Sequence, residues 1–194
     1  MITDLITLLK QTEEFRLKYG INPHDNYAWR EFMSFEYMRA VFPSILKKKG
    51  RYGADGICPE LGLISVEHKS VNATIRKTTN KYNLENLYFE FDVSESRFKH
   101  FDQIDGFMFA MYDRDSVNHP YPVLVLFSYG ESLKGLKNEI IKERDKFFTD
   151  AKRKRDTIEM YYPVLEKYSF VYTGLPVKQD YMYDLKSTLP LEYI

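Results

Sequence analysis

The chain has a single cysteine, no long apolar run and no net charge, and each absence removes a class of protein. With Cys58 alone, no internal disulfide forms and no cysteine-rich zinc site can be built. The longest apolar stretches, Gly106–Tyr112 and Tyr121–Tyr129, fall far short of the ~20 residues a membrane span needs. Met1-Ile2-Thr3-Asp4 lacks the basic start and apolar block of a secretory signal, so a soluble cytoplasmic protein without membrane contact is expected. The 28 Lys and Arg balance 28 Asp and Glu, which argues against attachment to nucleic acid by bulk charge. Internal repeats and low-complexity tracts are also missing. Aromatic residues, by contrast, are abundant: 16 Tyr and 14 Phe among 194 residues supply a core and argue against disorder. One domain over 1–194 is expected, large enough to bury about 70% of its unfolded surface.

Punctuation along the chain predicts the elements. Thr3-Asp4 caps a helix to about Tyr19, stopped by Gly20, and a second, largely buried helix runs from Tyr27 to Phe42 before Pro43. Cys58–Gly62 reads as a turn and Leu61–Ser70 as a strand, with Ile64 and Val66 on one face and Ser65, Glu67 and Lys69 on the other. Residues 71–83 are polar and basic. Leu87–Val93 is a further strand, and Ser94 caps a short helix to Ile104. Gly106–Tyr112 and Tyr121–Tyr129 are the strongest strands, followed by a charged helix over Leu133–Lys154. Pro163 marks another helical segment, Phe170–Thr173 a last strand, and 174–194 an extended C-terminal tail. The alternation predicts an α/β or α+β fold, with helices flanking a central mixed β-sheet.

Chemistry concentrates between Ala54 and Ser70. Asp55 closes one strand, and period two puts Glu67 and Lys69 on the same face of the next. If the two segments pair through the Pro59–Gly62 turn, Asp55 approaches Glu67. Two carboxylates held together repel unless a cation joins them, and their hard oxygens suit Mg²⁺. A lysine alongside orients a water or takes its proton. These are the parts of metal-assisted phosphodiester hydrolysis. The structural alternative is an exposed edge strand carrying an ordinary ion pair. On the Tyr27–Phe42 helix, Glu36 projects between Trp29 and Phe32, where a carboxylate needs a cation or hydrogen bonds. Its alternative is a pair with Arg39 or Arg30. Glu31 projects to a more polar sector and is the weaker candidate.

The spacing of Asp55, Glu67 and Lys69 resembles the PD-(D/E)xK nuclease superfamily, and the type II restriction endonucleases within it. Ala54 stands where that family often has proline. The resemblance implies an αβββαβ core and Mg²⁺-dependent cleavage of double-stranded DNA at a short specific sequence. It places Asp55 and Glu67 on the metal, with the His68 carbonyl completing the shell. Lys69 serves the attacking water, and Glu36 takes the place of an acidic residue many members carry on their first core helix. Mn²⁺ would substitute, and Ca²⁺ would bind without turnover. A homodimer and a cognate DNA methyltransferase in the host are implied as well. Junction resolvases and repair nickases share the motif, and a non-catalytic binding protein remains the reading of a different class.

Basic residues flank the acidic motif. Lys47, Lys48, Lys49 and Arg51 precede it without an intervening acid, and Ser70, Asn72, Arg76, Lys77 and Lys81 follow. Side chains of these types donate to phosphates and base edges, so Lys48, Lys49, Arg51, Ser70, Asn72, Arg76, Lys77 and Lys81 are the DNA-contact candidates. A single such run is ordinarily a solvated loop. Two runs around one acidic centre point to DNA. DNA affinity is therefore expected to fall as salt rises despite zero net charge, and a salt-independent Kd would remove the basic rim from consideration.

Overall fold

A computed structural model of the chain describes residues 25–48, 54–73, 81–114, 121–149 and 156–176, together with the backbone of 75–76. The expected helix over 3–19, the run Lys152–Arg155 and the tail beyond 176 lie outside the described residues. In chain order the strands are β1 (Leu46–Lys47), β2 (Gly56–Cys58), β3 (Leu63–Ala73), β4 (Ile75–Arg76) and β5 (Lys81–Tyr82). They continue as β6 (Tyr88–Asp92), β7 (Gly106–Asp113), β8 (Leu124–Tyr129), β9 (Thr157–Tyr161) and β10 (Phe170–Tyr172). The helices are α1 (Tyr27–Met38), α2 (Glu95–Phe98), α3 (Gly130–Thr149) and α4 (Tyr162–Lys167).

Six strands form one mixed sheet in the order β1-β2-β3-β7-β8-β10, flanked by helices, so the expected class is the observed one. Among the described strands, only the β3–β7 pair is parallel, and its crossover carries the β4–β5 hairpin, β6 and α2. Every residue of β7 is buried, as a central strand covered on both faces requires. The pleat of β7 divides the interior in two. Met108, Ala110 and Tyr112 meet Trp29, Met33, Phe35 and Met38 of α1. Phe107, Phe109 and Met111 meet Leu136 and Ile140 of α3, with Phe89, Phe91, Ile158 and Met160 from the β6–β9 ribbon. The same pleat on β3 turns Val66 and His68 toward α1.

Several expected boundaries shift for local reasons. Helix α1 stops at Met38 rather than Phe42, because Ala40 and Val41 donate to Tyr37 and Met38 in a tightened last turn. Pro59–Leu61 is a 3-10 turn closed by Gly62 at φ +68°, so β3 starts at Leu63. It then runs past Ser70 to Ala73, where the β7 ladder carries the polar residues. The segment after Ser94 breaks into α2 and a 3-10 turn at Phe101–Gln103, and the Ser94 side chain makes no capping bond. Asp55 directly precedes β2 instead of closing a strand. Among the described residues, no helix is long and apolar enough to cross a membrane.

Gly56 faces Val66 at the point where the site begins. A Cβ there would stand 2.7 Å from the Leu46 carbonyl oxygen and inside the Phe35 ring. Gly56→Ala is expected to cost about 1–3 kcal/mol in urea unfolding, and an unchanged midpoint would show that this close approach is not a constraint.

Candidate active site

The hairpin β2–β3 brings the sequence candidates together. Asp55 Oδ2 accepts the His68 amide at 2.7 Å, and the Lys69 ammonium lies 2.9 Å from Glu67 Oε1. The Asp55 carboxyl is pushed up to about 7, first by burial and then by the Glu67 charge, against the pull of the His68 amide. Glu31 adds to the same repulsion, and Lys69 offsets part of it.

The helix carboxylate at this centre is Glu31, not Glu36. Glu31 is 7% exposed and pairs with Lys47 at 3.1 Å. Burial pushes its carboxyl up, Lys47 pulls it down, and Glu67 pushes it up again. Glu36 instead pairs with Arg39 at 3.0 Å, and no acid of the centre affects its charge. Helix geometry is the reason. Glu36 lies nine positions after Tyr27, which places them about 180° apart around α1. Tyr27, Arg30, Glu31 and Ser34 share the side that meets β3. The signal in the sequence is a polar stripe at i, i+3, i+4 and i+7, obscured by the stronger apolar one around Trp29 and Met33.

That stripe holds α1 to β3 through three hydrogen bonds. The Tyr27 hydroxyl donates to the His68 carbonyl at 2.7 Å, and Arg30 Nε donates to Ser70 Oγ at 2.8 Å. Ser34 Oγ lies 2.9 Å from His68 Nε2 and shares the Tyr112 hydroxyl and Arg30 carbonyl. Tyr27 belongs to no motif, and only its place on the polar stripe marks it. Its hydroxyl is held far above the ordinary tyrosine range by burial and by Asp55, Glu31 and Glu67, so it stays a proton donor. The His68 ring is wholly buried and its pKa lies well below the usual value, so it is neutral.

The other candidate residues scatter. Lys48 Nζ donates to the Ile64 carbonyl at 2.7 Å, and Asn72 Nδ2 to Asp25 at 3.0 Å. Lys81 is exposed on β5, opposite Arg76, whose backbone alone is described. Lys49, Arg51 and Lys77 lie outside the described residues.

The donors around Asp55 are all oxygens, a set that fits a hard divalent cation such as Mg²⁺. Each is also claimed by a hydrogen-bond donor: Glu67 by Lys69, Glu31 by Lys47, the His68 carbonyl by Tyr27, and one Asp55 oxygen by the His68 amide. Among the described residues, no three acidic, His or Cys side chains are grouped closely enough to hold a metal ion. No protein-family model matches the chain, and no curated protein matches it.

The raised Asp55 pKa has a stability consequence. The folded chain holds this proton more tightly than the unfolded one, so the stabilisation is complete below about pH 4. It is lost as pH rises through about 7. Asp55→Asn keeps the acceptor for His68 and removes the charge. In EDTA it is expected to raise Tm at pH 8, with the gain vanishing toward pH 4. A gain independent of pH would separate the effect from Asp55 ionisation.

Proposed function

We propose that the protein is a Mg²⁺-dependent endodeoxyribonuclease of restriction type, cutting double-stranded DNA. The observation that carries this reading is Asp55 seated on the His68 amide, beside Glu67 and the Lys69 it pairs with. The order α1, β1, β2, β3 also parallels the start of the αβββαβ core implied by the motif, although β4, β5 and β6 intervene before the four-residue α2 and β7.

Asp55, Glu67 and the His68 carbonyl would hold the cation, with Glu31 the acid beside them. Bound Mg²⁺ supplies charge neutralisation at the phosphate and a more acidic water. Lys69, an ammonium held on Glu67, would position the attacking water, and the proton that this water gives up would pass to solvent. The new bond joins that water oxygen to phosphorus, and the bond to the leaving sugar oxygen breaks in line. Tyr27 fixes the direction of the His68 carbonyl. Cutting both strands with one centre per chain calls for a two-fold dimer. A cognate methyltransferase would protect the host DNA in the cytoplasm.

The competing reading is a non-catalytic binding protein, favoured by the mutual satisfaction of the Glu67–Lys69 and Glu31–Lys47 pairs. Plasmid digestion in Mg²⁺ decides between them. Discrete fragments are expected, and Lys69→Ala and Asp55→Asn should each slow cutting at least ~100-fold. Glu31→Gln should impair it and Glu36→Gln should not. Wild-type cutting by Lys69→Ala sinks the assignment, and cutting confined to nicks or branched DNA moves it to a resolvase or nickase. Calorimetric Mg²⁺ affinity unchanged by Glu67→Gln, without cleavage, selects the ion cluster.

A further inference from the structure

Beside Lys69 lies an open cleft of about 470 Å³, whose walls include Tyr27, Arg30, Tyr88 and Glu90. Its size falls in the range of small-ligand sites. Strand β6 alternates exposed and buried residues, so Tyr88 and Glu90 stand on its outer face while Phe89 and Phe91 enter the core. Tyr88 sits opposite Tyr161 in the β6–β9 ladder, with ring centroids 5.8 Å apart. The two residues remain 37% and 42% exposed. The Tyr161 hydroxyl donates to Glu159 at 2.9 Å, so the pair is held from behind without being covered. One cleft thus combines two cations on the β3–α1 side with an aromatic surface and a carboxylate on the β6 side.

We infer that this cleft receives an extruded, amino-bearing nucleobase from the DNA strand being cut. The inference rests on the nuclease reading and adds to it how the substrate is held. A phosphate seated at Lys69 has its own nucleotide at the opposite wall, where Tyr88 offers a face for stacking. A base inside an intact duplex has no free face, so occupancy requires extrusion. Glu90 accepts hydrogen bonds only; cytosine and adenine offer it an exocyclic amine, whereas thymine offers an N3–H flanked by two carbonyls that repel the carboxylate. Arg30, anchored on Ser70, and Lys69 supply the charge that holds the flanking backbone.

The test is fluorescence anisotropy with labelled short duplexes, using Ca²⁺ in place of Mg²⁺ to hold turnover off. The duplexes are fully paired or carry one unpaired cytosine, one unpaired thymine or one unpaired abasic nucleotide. An unpaired base has already lost its pairing, so the cytosine bulge should bind about tenfold more tightly than the abasic bulge. Tyr88→Ala should abolish that ratio and Tyr88→Phe should keep it. Glu90→Gln, an exposed substitution that leaves the ring in place, should shrink the cytosine-over-thymine preference. Equal binding of cytosine and abasic bulges overturns the inference, as does a ratio that survives Tyr88→Ala. If the paired duplex binds and is cut without any bulge preference, the inference falls and the nuclease reading stands. If no duplex binds, both fall.

Discussion

A strand that starts late leaves backbone groups that something else must satisfy, and the candidate site grows from that constraint. Strand β2 begins at Gly56, opposite Val66, so no ladder partner reaches His68 from that side. A buried amide and carbonyl cannot stay unpaired. Asp55 turns its carboxylate to the amide and Tyr27 its hydroxyl to the carbonyl, at 2.7 Å each. The two substitutes come from the residue before β2 and from the first turn of α1. Completing the edge of one strand therefore draws a helix, a strand end and two polar side chains to a single point.

The His68 ring makes the opposite face of that point rigid. Fully buried and neutral, it lies against the Tyr27 and Phe35 rings and meets Ser34 at Nε2. With the proton on Nε2, Ser34 accepts it and donates its own to the Arg30 carbonyl, while Tyr112 donates to the same carbonyl. Nδ1 is then a lone pair without a partner, which is a smaller cost than an unpaired buried N–H. This arrangement fixes α1 in rotation as well as distance. Rotation is what decides that Glu31 reaches the acidic centre and Glu36 reaches Arg39.

How much of this is legible in the amino-acid order depends on the range of the interactions. Asp55, Glu67 and Lys69 belong to one hairpin, so period two and a Pro-Gly turn suffice to bring them together. The long buried strands β7 and β8 announce themselves as apolar runs. Strand β9 leaves no such mark, because its character comes from pairing with β6, far earlier in the chain, while the neighbouring basic run and Pro163 dominate the local pattern. Glu31 is hidden for a related reason. A wheel built on hydrophobicity finds the face toward the core, whereas the face of α1 that carries Tyr27, Arg30, Glu31 and Ser34 lies toward a polar strand edge.

The balance of 28 basic and 28 acidic residues also has a more local meaning than an acidic centre within a basic rim. Lys47, part of the basic run before the motif, is occupied by Glu31, and Lys69 by Glu67. On α3, Glu131, Glu139 and Glu143 each pair with a lysine three residues on. At these five pairs, neutrality is made of neighbours cancelling one another. On the nuclease reading, this couples the two ligands. A phosphate must compete with Glu31 and Glu67 for Lys47 and Lys69, and a divalent cation must compete with the same lysines for the carboxylates. Either ligand that wins its side releases groups for the other. By linkage, each would on that reading strengthen the other's binding equally, and lysines that look spent in internal ion pairs would be the means by which metal and DNA favour each other.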